Sequence, residues 1–136
     1  MDVDERALPT RTAAFVAAVL MAIAPVTAFA ARPAMLNTLE RGLWTLRVRD
    51  SGSRERICVR SGMEFIQLRH RNERCSRYLI RSTPDELVVQ YTCRGEDYGR
   101  TTIRRESAEL VQIQSRGVRD GRPFALSGEA RLAGRC

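Results

Sequence analysis

The sequence contains no lysine, since all 23 of its basic residues are arginine, and it contains a single histidine, His70. Aromatic residues make up only 6% of it. No two cysteines form a C-x-x-C pair, and no serine lies in a G-x-S-x-G turn. These absences argue against a zinc site of closely paired ligands, a C-x-x-C redox centre and an α/β-hydrolase nucleophile.

Other signs of catalysis are few. His70 lies in QLRHRNE, among arginines that oppose its protonation, so we expect a loop or surface histidine. Two pairs of adjacent carboxylates, Asp85 with Glu86 and Glu96 with Asp97, fall in predicted turns and are typical of solvated loops. We therefore predict that the protein is not an enzyme, with a small enzyme as an alternative.

An export signal is predicted at the start of the sequence. Twelve uncharged apolar residues, from Ala13 to Ala24, are followed by Pro25 and then by Ala28-Phe29-Ala30, which is typical of a signal peptidase site. We predict that residues 1–30 are removed after Ala30 and that residues 31–136 form one exported domain, periplasmic or secreted. The preceding segment is acidic as well as basic, so an uncleaved anchor is the alternative, and membrane contact is expected only through such an anchor.

The predicted mature region is strongly basic. It has 21 arginines and 13 acidic residues, a formal net charge of +8. Outside the cytoplasm such a charge favours an anionic envelope component or an acidic protein as partner, and no nucleic acid is expected. We expect a monomer.

The four cysteines, Cys58, Cys75, Cys93 and Cys136, all follow the predicted signal. An even number in a small exported domain predicts two disulfides. Three pairings are possible, and a coarse strand map favours Cys58 with Cys75 and Cys93 with Cys136. A bridge at Cys136 would hold the last strand to the domain. We expect no metal and no cofactor.

Alternating apolar and polar residues, separated by turn residues, recur along the mature region. In ELVVQYTC, one face carries Leu87, Val89, Tyr91 and Cys93, so Cys93 is expected to point toward the core. ARPAMLNTLERG and SGMEFIQL are predicted as short helical turns or irregular crossings. The fold class is all-β: a signal-peptide helix followed by about seven short antiparallel strands, in a meander that forms a small barrel or a sandwich with two disulfides.

Arginines and one tyrosine are the candidate binding residues. One arginine cluster surrounds the crossing before Cys75, and the other lies on the strand after the loop GEDYG. If these segments are neighbours, the clusters form one basic patch. Most aromatic residues fall on apolar faces and are predicted to be core, but Tyr98 lies in the loop and is predicted to be exposed. The candidate anion contacts are Arg69, Arg71, Arg74, Arg100, Arg104 and Tyr98. The alternative is that these arginines only form a solvated surface with nearby acidic residues.

Several short motifs follow one another along the predicted mature region. They are G-x-W at Gly42, single cysteines at Cys58 and Cys75, V-x-Y-x-C ending at Cys93, and a final G-x-C at Cys136. In this order the chain resembles uncharacterised exported proteins of proteobacteria, particularly sphingomonads. It resembles more loosely the domain-of-unknown-function family numbered three thousand six hundred and seventeen. The resemblance implies an exported, disulfide-bonded β domain and carries no catalytic residues.

A weaker resemblance is to periplasmic lysozyme inhibitors of small barrel type. It rests on Y-x-C at Tyr91 and Cys93 and on a late S-G at Ser127 and Gly128. An inhibitor of a cell-wall enzyme is therefore the alternative to a binding or envelope-accessory module. A charge of +8 would repel basic lysozymes, so we predict the binding module.

Overall fold

The computed structural model describes residues 32–136 of the chain. These residues form seven antiparallel strands and the segments that connect them. Two short 3-10 helices, Ala34–Thr38 and Met63–Phe65, lie before the first strand and after the second. The predicted all-β fold is confirmed. The predicted signal peptide and its cleavage site lie outside the described residues. The strands are β1 (Gly42–Val48), β2 (Arg54–Val59), β3 (Ser76–Ser82), β4 (Glu86–Thr92), β5 (Tyr98–Ser107), β6 (Leu110–Arg119) and β7 (Arg122–Gly134).

The strands form one sheet in the order β2-β1-β7-β6-β5-β4-β3. Strands β3 to β7 follow one another as a meander, and β7 then pairs with β1 at the start of the domain. The sheet has two edges, β2 and β3, so the predicted closed barrel is wrong, and a second sheet that would make a sandwich is absent from residues 32–136. Within the same residues, no helix is long and apolar enough to cross a membrane.

One face of the sheet carries the core, and irregular segments cover it. Residues 60–75, which connect the two edge strands, bury Phe65, Ile66 and Leu68 against this core face. The first 3-10 helix adds Met35 and Leu36 to the same cluster. Residues 60–75 thus bury the core face of the sheet, which the strands of a closed barrel would bury among themselves. The two edge strands therefore need not pair with each other to keep the core from solvent.

The disulfides join Cys58 to Cys136 and Cys75 to Cys93, so the two pairs favoured from the sequence are wrong. Cys58 lies in one edge strand and Cys75 directly precedes the other, so the sheet order separates them. Leu43 of β1 pairs with Cys58 on one side and with Gly134 on the other, which brings Cys136 near Cys58. Two disulfides are typical of a protein that folds in an oxidising compartment outside the cytoplasm.

Candidate functional site

Two arginines stand directly opposite each other on the outer face of the sheet, the face that points away from the core. Arg100 of β5 pairs with Arg116 of β6, and both are exposed. Their other cross-strand neighbours are Gln90 on β4 and Ala125 on β7. Like charges placed directly opposite repel each other and destabilise a sheet unless something between them compensates.

No salt bridge reaches Arg100 or Arg116 from within residues 32–136. Around Glu129 on the same face the charges are compensated. Glu129 accepts hydrogen bonds from Arg131 and Gln112, and these bonds hold the pKa of its carboxyl below the usual value. The outer face therefore has a compensated region and, nearer the loop that precedes β5, a region of excess positive charge.

A shallow pocket of about 290 Å³ lies at this excess of charge. Arg100 and Arg116 line it, and Asp50 from the turn after β1 adds one carboxylate. The neutral polar lining residues are Thr102, Gln114 and Ser127. The volume is near the lower end of the range for ligand pockets, roughly 300 to 1,000 Å³, which suits a small polar group.

Two tyrosines are exposed near the arginine pair. Tyr98 lies two residues before Arg100 on the same face of β5 and is 45% exposed, which confirms its predicted exposure. Tyr78 pairs with Gln90, the neighbour of Arg100, and is 71% exposed. The expectation that most aromatic residues belong to the core does not hold for Tyr78, because β3 is an edge strand whose side chains are all exposed.

The other predicted anion contacts do not join this site. Arg69 and Arg71 both bind Glu55, at 3.1 and 2.7 Å. Glu55 pairs with the buried Leu46, so these arginines lie on the core-face side of the sheet, opposite the outer face of Arg100. The two sequence clusters therefore do not form one patch. Their individual roles as anion contacts stay predictions.

The remaining predicted arginines lie apart from the pocket. Arg104 shares the outer face with Arg100 but lies 3.6 Å from Glu106. Arg74 is exposed and lines a small surface depression with Arg94 and Glu73. Arg116 was not predicted from the sequence, because its position opposite Arg100 follows only from the register of the β5–β6 hairpin.

A second polar cluster is closed inside the domain. His70 is 1% exposed, so the expectation of a loop or surface histidine is only partly correct: it lies in an irregular segment but is buried. Its Nδ1 lies 3.0 Å from the hydroxyl of Tyr91. Its Nε2 lies 3.6 Å from a carboxylate oxygen of Asp97, too far for a hydrogen bond, and has no hydrogen-bond partner in the described part of the chain.

The cluster continues on the other side of Tyr91. Burial raises the pKa of the Tyr91 hydroxyl, a hydrogen bond with Ser115 opposes that rise, and the negative charge of Glu73 adds to it. Ser115 also shares a hydrogen bond of 2.8 Å with Thr101, which donates to the carbonyl of Ile66. These hydroxyls thus attach the irregular segment to the sheet. The side chain of His70 is 0% exposed and is thus closed to a substrate in this structure.

His70, Glu73 and Cys93 bring three metal-ligating atoms within 4.8 Å of one another. The sulfur of Cys93 is in the disulfide with Cys75, however, and cannot act as a thiolate ligand. Only two donors remain, fewer than a structural or catalytic zinc site uses.

Comparison with known proteins returned no family model, no curated protein and no solved structure that matches the chain. The resemblance to exported proteobacterial proteins therefore stays a prediction.

Proposed function

We propose that the protein is a periplasmic or secreted binding module that recognises an anionic group through Arg100 and Arg116. The observation that carries the proposal is that these directly paired arginines line a pocket and have no salt-bridge partner in residues 32–136. The fold keeps two like charges side by side, at a cost to its own stability. A bound anion would remove that cost.

The chemistry of the guanidinium group indicates the ligand class. Each guanidinium offers several N–H donors in one plane and binds phosphate or carboxylate oxygens bidentately. Two such groups on adjacent strands can hold one phosphate or carboxylate between them. The hydroxyl and amide groups of Thr102, Gln114 and Ser127 supply further hydrogen bonds to a polar ligand. An anionic component of the envelope carries such groups, as does an acidic protein.

The proposal includes no catalytic activity. Its support is the burial of His70, the residue best suited to acid or base chemistry, together with the oxidised state of the cysteines. A catalytic base must reach the proton that it abstracts, and His70 is enclosed by the sheet and its covering segment.

Co-sedimentation with vesicles tests the proposal. Vesicles that contain phosphatidylglycerol should bind the protein at low salt and release it as salt rises, whereas phosphatidylcholine vesicles should not bind it. Arg100→Gln and Arg116→Gln should each weaken binding about tenfold, which corresponds to the loss of one charge-assisted hydrogen-bonded contact.

Arg54→Gln is the matched control, because Arg54 is also an exposed outer-face arginine opposite another arginine, Arg47, but does not line the pocket. We expect this variant to bind within about twofold of the unmodified protein. Equal weakening by all three substitutions would mean that only net charge matters and would overturn the site. Equal binding to neutral and anionic vesicles would overturn the proposed function as a whole.

A further inference from the structure

Strand β3 is an edge strand with an exposed apolar centre. Its sequence is SRYLIRS, and all seven residues are exposed. Tyr78, Leu79 and Ile80 are 71%, 48% and 40% exposed. Consecutive large apolar side chains on an unpaired edge are unusual, since natural sheets protect such edges with charges, cover or short strands.

The other edge of the same sheet is protected in these ways. Strand β2 carries Arg54, Glu55 and Arg56 along its first half, and Arg69 and Arg71 of the covering segment bind Glu55. Its second half is tied to the last strand through Cys58 and Cys136. The open apolar edge at β3 is therefore a local feature and does not reflect a general lack of edge protection in the fold.

The free side of β3 has backbone groups available to another strand. Within residues 32–136, no backbone hydrogen bond reaches residues 76–82 except from β4. An extended segment can pair with such an edge through its main chain, while its side chains contact the exposed residues of the edge. On the outer side, a surface depression of about 460 Å³ is lined in part by Tyr78 and Ile80 and offers space for such a side chain.

We propose that β3 binds an extended segment of a partner protein, in which apolar residues are flanked by acidic ones, as an additional strand of the sheet. The charges on β3 select the acidic flanks. Arg77 and Arg81 stand on either side of the apolar centre, and residues 76–82 contain no acidic residue. Arg77 donates only to the neutral amide oxygen of Gln67, so its charge is not compensated there. Arg81 has Glu86 at 3.1 Å and stays 64% exposed.

A second copy of the chain fits this edge poorly. Two copies of β3 related by a two-fold axis through Leu79 would bring Arg77 and Arg81 of both copies to one interface, with no acidic residue in either strand. The register also shifts between Leu79 and Arg81, because Leu79 pairs with Val89 and Arg81 pairs with Val88. This bulge moves Arg81 to the outer face while Arg77 stays on the core face, so facing residues of the two copies would point to opposite sides.

Peptide titration followed by NMR and hydrogen exchange tests the inference on the purified, oxidised protein. The probe is a capped peptide, Ser-Glu-Ile-Val-Glu-Ser, whose glutamates are three residues apart, as are Tyr91 and Val88, the β4 partners of Arg77 and Arg81. The comparison peptide replaces both glutamates by lysine. The glutamate peptide should cause saturable shifts centred on the backbone amides of residues 76–82 and slow their exchange. We expect the lysine peptide to bind at least about tenfold more weakly.

Variants separate this edge from the rest of the surface. Leu79→Lys and Arg81→Gln, both at exposed positions, should each weaken the glutamate peptide several-fold, because one loses apolar contact and the other loses charge. Arg54→Gln on the other edge should leave peptide affinity unchanged. Native-like thermal unfolding of each variant verifies that it is folded.

Three results would overturn the inference. Shifts that map to β2 or to the Arg116 pocket would place the peptide elsewhere. Equal affinity for the two peptides would remove the acidic specificity. Slow exchange of residues 76–82 in the free protein, together with the mass of a dimer, would make the occupant a second copy. Vesicle binding is measured separately, so failure here does not depend on the outcome for the anion site.

Discussion

The hydroxyl of Tyr91 lies over Gly99, its direct cross-strand partner on β5. A Cβ atom at residue 99 would lie 2.3 Å from both the hydroxyl oxygen and the ring carbon that carries it. The absence of a side chain at Gly99 thus allows the ring of Tyr91 to cross its neighbour and the hydroxyl to reach His70. One glycine on the sheet therefore determines the geometry of the buried polar cluster.

Gly99→Ala should displace the Tyr91 ring and break its hydrogen bond with His70. We expect a loss of about 2 to 3 kcal/mol in the free energy of unfolding, from steric overlap and an unpaired buried group. Urea denaturation measures it. Gly95→Ala is the control, because its Cβ would meet nothing within 4 Å and only its positive φ of 76° carries a cost, about 1 kcal/mol. A smaller loss at Gly99 than at Gly95 would contradict the steric argument.

Alkaline stability should depend on Tyr91. Burial raises the pKa of its hydroxyl above the ordinary value of 10.0, so the folded state holds this proton more tightly than the unfolded state. The resulting stabilisation is complete below pH 10 and is lost as pH rises from there through the pKa of the folded state. Chemical denaturation between pH 9 and 11 should show stability falling with pH. Tyr91→Phe should be less stable at pH 8 and should lose part of this slope, whereas Tyr78→Phe, at an exposed tyrosine, should keep all of it.

Acid stability should depend on Glu64. Burial raises the pKa of its carboxyl, but hydrogen bonds from backbone N–H groups, including those of Arg60 and Ser61, outweigh burial and leave the pKa below 4.5. Because the pKa is lower in the folded state, the carboxylate stabilises the fold above pH 4.5, and this contribution is lost as pH falls through the lowered pKa. Glu64→Gln should cost about 1 kcal/mol at pH 7 and much less at pH 3, as thermal unfolding at the two pH values would show. A cost independent of pH would contradict the role of the charge.

The two disulfides should contribute unequally to stability. Cys58 and Cys136 are 78 residues apart in sequence, and Cys75 and Cys93 are 18 apart. In the loop-entropy account, the first bridge stabilises by about 4.5 kcal/mol and the second by about 3 kcal/mol. Cys58→Ser/Cys136→Ser should therefore have a lower urea midpoint than Cys75→Ser/Cys93→Ser. The reverse order would mean that the buried position of Cys93, which is 6% exposed, outweighs loop length.

Strand alternation was sufficient to predict the all-β class and the burial of Cys93, because every strand except β3 has one face in the core. It could not predict which strands become neighbours. Leu43 pairs with both Cys58 and Gly134 because β1 lies between β2 and β7. No local sequence pattern indicates this long-range arrangement of strands. The disulfide pairing was wrong for the same reason.

The candidate site was predictable only in part. Arg100 and Tyr98 stand out because they flank a glycine-containing loop, and both lie on the outer face. Arg116 lies 16 residues further along the sequence, and its role appears only when the register of the hairpin places it opposite Arg100. The open edge at β3 escaped prediction because an apolar strand in the core and an apolar strand at an edge have the same sequence pattern.

The bridge between Cys58 and Cys136 also determines how the domain would respond to a pulling force. If residues 32 and 136 were held and drawn apart, tension would pass from Cys136 directly to Cys58 and bypass the strands between them. Only residues 32–58 could extend, to about 90 Å, whereas the reduced chain could extend to about 370 Å. Strands β3 to β7 lie inside the bypassed loop, so the paired arginines of the pocket and the open edge would carry no load while the bond is intact, and Asp50 is the one pocket residue in the extensible part.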